Sequence, residues 1–235
     1  MSHIRAVSFD FGKTLADGTS SGTAGAAKYL KGLGRDVSDD GLGKGVAAAE
    51  VYLSEMREKH GLRYPKDERV WFHYCRHMVE EALGVDDGSE IAEEMWKTDF
   101  HETELLPDGL EAVESSNMQG YLVMIISNWE APTLHDICER LGISKHVDLI
   151  LPSRDAESAK PDSVIFEMAL SKLKVRPDET VHIGDSFGCD VIGARSAGMT
   201  PIHLATEEET PSDFMGISVN NILDALGEVG RMTQR

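Results

Sequence analysis

From Tyr121 to Ile126 the chain reads YLVMII, an unbroken apolar run bounded by Gly120 and Ser127. A short continuous run of this kind is what a strand buried on both faces needs. Its surroundings repeat the theme. Ile4 to Phe9 reads as a strand ending at Asp10, Thr133 to Leu141 as a helix, Val147 to Leu151 as a strand and Ser163 to Leu173 as a helix. Thr180 to Ile183 follows as a strand, Cys189 to Ala197 as a helix and Pro201 to Leu204 as a short strand. Strands alternating with helices predict βαβ units, and so an α/β fold with a doubly wound parallel sheet covered on both faces.

Residues 18–103 interrupt that alternation. Gly18 to Gly25 reads as a small-residue linker, and Ser38–Asp39–Asp40 is a helix start. Val46 to Lys59 and Asp67 to Leu83 have helical apolar spacing, and Glu90 to Phe100 resembles a further helix. No strand is predicted there. The glycine-rich GLGKG at Gly41–Gly45 has neither the P-loop nor the dinucleotide spacing and reads as a helix start. The expected organisation is an α/β core from residues 1–17 and 104–235, with a helical domain of 18–103 inserted after the first strand.

The 235 residues carry 41% hydrophobic and 27% charged side chains, the balance of a soluble globular protein. No apolar run approaches the roughly 20 residues that span a bilayer, and no signal peptide is visible, so neither a membrane nor export is expected. Cys75, Cys138 and Cys189 are scattered and form no CxxC pair. They point to buried thiols in a reducing, cytoplasmic setting. The net charge of −18 argues against nucleic acid as a partner, because phosphate backbones select basic patches. It leaves small anionic substrates open, since a metal ion can reverse the local field. Oligomeric state is not legible.

In parallel α/β sheets reactive groups gather beyond the carboxyl ends of the strands. Four such ends carry polar residues here. Asp10 closes the first strand and Ser127–Asn128 the second, Lys160–Pro161 lies beyond the third, and Gly184–Asp185–Ser186 with Asp190 follows the fourth. Any one of these could be ordinary loop chemistry; all four occur in order, each at the same end of its strand.

The segments SFDFGKTL, LLPDGLEAV with GYLVMIISN, SAKPDSVIFEMAL and RPDETVHIGDSFGCDVIGARSAGM resemble the four signature motifs of the haloacid dehalogenase superfamily. The resemblance covers nearly all of the chain outside the helical insert, which is similar to the family's C1 cap. It implies a hydrolase, most often a phosphatase, acting on a small phosphorylated substrate with Mg²⁺ as cofactor. Asp10 would be the nucleophile and form an aspartyl-phosphate. Asp10, Asp185 and the backbone carbonyl of Gly12 would bind the metal, with Asp190 supporting that site. Lys160 would neutralise the nucleophile and the transferring group, Ser127 would donate to a phosphoryl oxygen, and Asn128 would complete the substrate contacts.

One position departs from the family's pattern. Its phosphatases usually carry a second aspartate two residues after the nucleophile, where it protonates the leaving group; here that residue is Gly12. Positioned proton transfer is typically worth about 10²–10⁴ in rate. The chain would then be a phosphatase for good leaving groups, a phosphatase with its acid supplied elsewhere, or a catalyst of reactions without a departing alkoxide. Phosphonatases and dehalogenases also lack the second aspartate. The former need a cap lysine, for which Lys28, Lys31 and Lys44 are available; the latter usually lack the metal-binding aspartates present here. A non-catalytic binding protein is the rival outside enzymology.

Other signals yield to packing. His73 and His77 share a helix face around Cys75, without HEXXH or a second ligand pair, and read with Trp71, Phe72 and Tyr74 as helical core. Asp17 is set aside as a substitute acid, and Cys189 reads as a buried structural thiol.

Overall fold

A computed structural model describes residues 3–18, 22–63, 68–100, 102–129, 131–206 and 208–234. Strands β1 (Ala6–Phe9) and β2 (Ala16–Gly18) are followed by helices α1 (Gly22–Gly32), α2 (Asp39–His60), α3 (Val70–Leu83) and α4 (Ser89–Met95). Strand β3 (Thr103–Leu105) leads to α5 (Gly109–Met118), β4 (Leu122–Ser127), α6 (Leu134–Arg140), β5 (Leu149–Pro152), α7 (Ser153–Ala156) and α8 (Ser163–Leu173). The chain ends through β6 (Thr180–Gly184), a π-helical segment Phe187–Ile192, α9 (Gly193–Ser196), β7 (Thr200–Leu204), β8 (Ile217–Val219) and α10 (Ile222–Thr233). The chain divides into one compact unit of Met1–Asp17, Leu105–Trp129 and Cys138–Arg235, and another of Gly18–Glu104 and Glu130–Ile137.

The first unit is built on a six-stranded sheet of order β5-β4-β1-β6-β7-β8, parallel throughout. β1 is central: Ala6 to Phe9 pair with Leu122 to Ile125 on one side and Thr180 to Ile183 on the other. The side chains of β1 are all buried, and its sequence is apolar apart from Ser8. Ala6, Met124 and Ile126 pack with Ile165, Phe166, Ala169 and Ala194 of α8 and α9. Residues of the opposite parity face the other way, where α5 lies on β4 and α10 on β6, β7 and β8. The sheet is therefore doubly wound. That register brings Asp10, Ser127 and Asp185 out at one edge, each at the carboxyl end of its strand.

In the second unit Ser38 caps α2 by accepting from the Gly41 amide at 3.1 Å. α2 and α3 form its principal helix pair, with Leu42, Ala49, Leu53, Phe72, Cys75 and Met78 among its buried residues. Gly45 explains the glycine-rich patch. A Cβ there would stand 2.4 Å from the Met78 carbonyl, so glycine permits the close approach of α2 to α3. The patch lies within the first turns of α2.

Several elements differ from the sequence reading. Gly22 to Gly25 belong to α1 rather than to a linker; residues 19–21 and Asp67 lie outside the described residues. The helix expected to reach Phe100 stops at Met95. A short strand, β3, opens at Thr103 inside the stretch read as strand-free and pairs with β2. β8 and α10 went unread: β8 has only three residues, and Gly227 and Gly230 mask the Ile222, Ala225, Val229 stripe of α10. Among the described residues no helix is long and apolar enough to cross a membrane.

Candidate active site

The first motif folds as a strand end followed by a tight turn. Beyond β1 the Asp10 amide still donates to the Ile183 carbonyl at 2.9 Å, holding the residue to β6. The chain then turns back, with the Lys13 amide donating to Ala16 and the Leu15 and Ala16 amides to Phe11. This turn carries Thr14 to Asp185, whose Oδ1 accepts from Thr14 Oγ1 at 3.3 Å.

Lys160 joins the motifs. Its ammonium donates to Asp10 Oδ1 at 2.5 Å and to Asp190 Oδ1 at 2.6 Å, and the lysine is only 3% exposed. Asn128 fixes the lysine's backbone: its Oδ1 accepts from the Lys160 amide at 2.7 Å, and its Nδ2 donates to the Lys160 carbonyl at 2.9 Å. Asn128 thereby ties the end of β4 to the loop that carries Lys160. Ser127, buried at the end of β4, lies in the same strand-end row.

Asp190 is saturated from three sides. Besides Lys160, its Oδ1 faces His182 Nε2 at 3.1 Å, and its Oδ2 accepts from the Ser186 amide at 3.0 Å. Gly184 makes room for it. A Cβ at Gly184 would sit 2.3 Å from Asp190 Cγ, so Gly184→Ala should displace the carboxylate and cost about 1–3 kcal/mol of stability, read by thermal unfolding. The π-helical turn from Phe187 also differs from the regular helix expected at Cys189. Cys189 is half-buried rather than buried, with its Sγ 3.9 Å from Asn128 Nδ2.

One carboxylate oxygen from each of Asp10, Asp185 and Asp190 lies within 4.8 Å of the others. Three buried or half-buried carboxylates against one lysine leave an excess of negative charge, which is costly away from water. The strain divides by position. Burial, reinforced by Asp190, pushes the Asp10 and Asp185 carboxyls above the usual carboxylate range, against the pull of Lys160. Burial also works against the Asp190 charge, but Lys160 and His182 outweigh it and hold Asp190 below that range. Burial opposes the Lys160 charge too, and the two aspartates outweigh it, keeping the ammonium above the ordinary lysine range. Asp190 is thus the lysine's counter-charge, while Asp10 and Asp185 form an all-oxygen pair short of positive charge. Such a pair suits a hard divalent cation.

Gly12 is half-buried and bridges to Ala16. Nothing lies within 4 Å of where its Cβ would be, and its φ is not in the left-handed region.

Three residues of the site escaped the sequence reading. Thr14 stood inside the first motif without a role. His182 and His203, in β6 and β7, are both wholly buried, and a histidine inside an apolar strand was the available signal. His203 Nε2 meets the Asp185 carbonyl at 3.0 Å, an acceptor only, so this nitrogen carries a proton. Its Nδ1 lies 2.6 Å from Thr210 Oγ1, which in turn lies 2.6 Å from Ser218 Oγ. His73 and His77 pack on the Tyr52 ring at 5.9 and 4.9 Å, and Trp71 stacks on Tyr74 at 4.4 Å.

The sequence model of the haloacid dehalogenase-like hydrolases matches residues 4–198. The chain belongs to this family. It is accordingly a hydrolase. Among similar proteins is the ribulose-1,5-bisphosphate 5-phosphatase of Halopiger xanaduensis, 27% identical over 212 residues that cover 87% of this chain and 86% of that protein. The glyceraldehyde 3-phosphate phosphatase of Methanothermobacter thermautotrophicus is 27% identical over 226 residues, 93% of each chain. The magnesium-bound structure of the putative HAD-hydrolase YfnB from Bacillus subtilis shares the fold, with a TM-score of 0.74 at 17% identity over 97% of this chain and all of the other.

Proposed function

We propose that this haloacid dehalogenase-like hydrolase is a magnesium-dependent phosphatase for a small phosphorylated metabolite, working through an aspartyl-phosphate on Asp10. The observation that carries the reading is the buried charge imbalance: the carboxylates of Asp10, Asp185 and Asp190 cluster around a single ammonium, that of Lys160, which pairs with Asp10 and Asp190. Two similar proteins, named as phosphatases of ribulose-1,5-bisphosphate and of glyceraldehyde 3-phosphate, support the substrate class.

Asp10, Asp185 and the Gly12 carbonyl would hold Mg²⁺, and Asp190 would stay with the lysine. Bound there, the ion supplies positive charge to the phosphoryl oxygens. A carboxylate oxygen of Asp10 forms a bond to phosphorus as the bond to the leaving oxygen breaks. Lys160 offsets charge on the nucleophile and the transferring group, and Ser127 donates to a phosphoryl oxygen. Water then attacks phosphorus, the bond to Asp10 breaks, and inorganic phosphate leaves. Residues 18–103 are assigned the family's C1 cap role of choosing the substrate. Within that unit Lys28 and Lys44 are exposed and pair with Glu102 and Asp40, a poor setting for the amine of a phosphonatase.

Turnover of a phosphorylated-metabolite panel should require Mg²⁺, vanish in excess chelator and return when the ion is restored. Asp185→Asn should raise the Mg²⁺ concentration for half-maximal rate by about 10-fold or more. Because the metal-free Asp10 carboxyl is raised, protons compete with the ion, and the requirement should grow as pH falls from neutrality toward the ordinary carboxylate range. Undiminished turnover in chelator would turn the assignment toward metal-independent chemistry.

A further inference from the structure

Beneath the strand-end carboxylates runs a second buried polar layer. Ser8, two residues before Asp10 on the same face of β1, places its Oγ 2.8 Å from His182 Nδ1. The two residues are register partners across β1 and β6. His182 Nε2 faces Asp190 Oδ1, the same oxygen that accepts from Lys160. The Phe166 ring meets the imidazole edge-on, with centroids 5.1 Å apart. Ser8 and His182 have no exposed surface, and Asp190 only 1%.

Hydrogen-bond direction follows from the acceptor. An ionised carboxylate offers no proton, so Nε2 must carry one and donate to Asp190, and in the neutral ring Nδ1 is left to accept from the Ser8 hydroxyl. We propose that His182, oriented by Ser8 and Phe166, is a positioning residue: it holds Asp190 where one oxygen can anchor the Lys160 ammonium against Asp10. The chain Ser8–His182–Asp190–Lys160–Asp10 thus fixes the nucleophile's counter-charge from inside the sheet. A buried carboxylate with one donor fewer would turn toward its remaining partners, and the lysine would follow. Its link to catalysis rests on the phosphatase reading above; the hydrogen-bond chain does not.

The first test needs no turnover. Nitrogen-15 spectra of the histidine rings in the native protein should show the His182 proton on Nε2. A bare Nε2 would overturn the inference. The second test is kinetic, in Mg²⁺ with the best substrate of the panel. His182→Leu should lower kcat about 10–100-fold while leaving KM for substrate nearly unchanged. His182→Gln, whose side-chain amide offers an N–H at a similar reach, should recover most of the loss. Native kcat in the leucine variant, or a glutamine variant as slow as the leucine one, would overturn it. A native protein that cleaves no phosphate ester would remove the proposed function, and the ring spectra would still decide the Nε2 assignment.

Discussion

Asp10→Asn should lower kcat by about 10⁴-fold or more while leaving the protein at least as resistant to unfolding when no metal is bound. The first half follows from chemistry: an amide oxygen is a poor nucleophile toward phosphorus, and losing a nucleophile removes the whole covalent route. The second half follows from the charge count. Losing one partner of a buried pair ordinarily leaves an orphan charge and destabilises strongly. Here Lys160 keeps Asp190 at 2.6 Å, and the carboxylate removed is one that burial already disfavours. A carboxyl raised in the folded state lowers stability once pH exceeds its unfolded value, and fully so above the folded one. Removing it should therefore hold or raise Tm at pH 8 in chelator. Near-native turnover in this variant would end the case for Asp10. A collapsed Tm would show that the lysine depends on both aspartates.

The second large effect concerns the leaving group. With glycine at position 12, no side chain there can protonate the departing oxygen, which must leave with most of its developing charge. In single-turnover experiments aryl and acyl phosphates should be cleaved faster than simple alkyl phosphates by about 10²–10⁴-fold beyond the gap for a family member with the second aspartate. Gly12→Asp should raise alkyl-phosphate turnover about 10-fold or more and change aryl turnover little. The structure favours the substitution, since the Cβ position is open and the backbone is not left-handed. A flat leaving-group dependence in the native protein would mean that another group supplies the proton.

Much of the fold was legible because burial on both faces writes itself into sequence as uninterrupted apolar runs. YLVMII became β4 with a one-residue offset, and α8 took the expected bounds of Ser163–Leu173. Legibility failed where length or glycine weakened the pattern, as in β8, α10 and the start of α1. The four strand ends could be found because each places a polar residue directly after an apolar run. What lies behind them could not. That Asn128 also holds the Lys160 backbone through both ends of its amide is written nowhere near either residue in the sequence. His182 and His203 matter through hydrogen-bond partners that only the folded register supplies.

The position of β1 also bears on how the protein is made. Within the sheet the earliest strand in chain order, β1, is an interior one, and its partners, Leu122 to Ile125 and Thr180 to Ile183, are synthesised far later. The helices α2 and α3 need only each other's neighbourhood in sequence to begin packing. Loop-closure entropy makes distant pairings slow and local ones fast. Nascent chains should acquire the helical unit first, while an apolar strand ending in the nucleophile waits unpaired until β4, and then β6, emerges. Until then β1 is exposed surface that a chaperone could shelter.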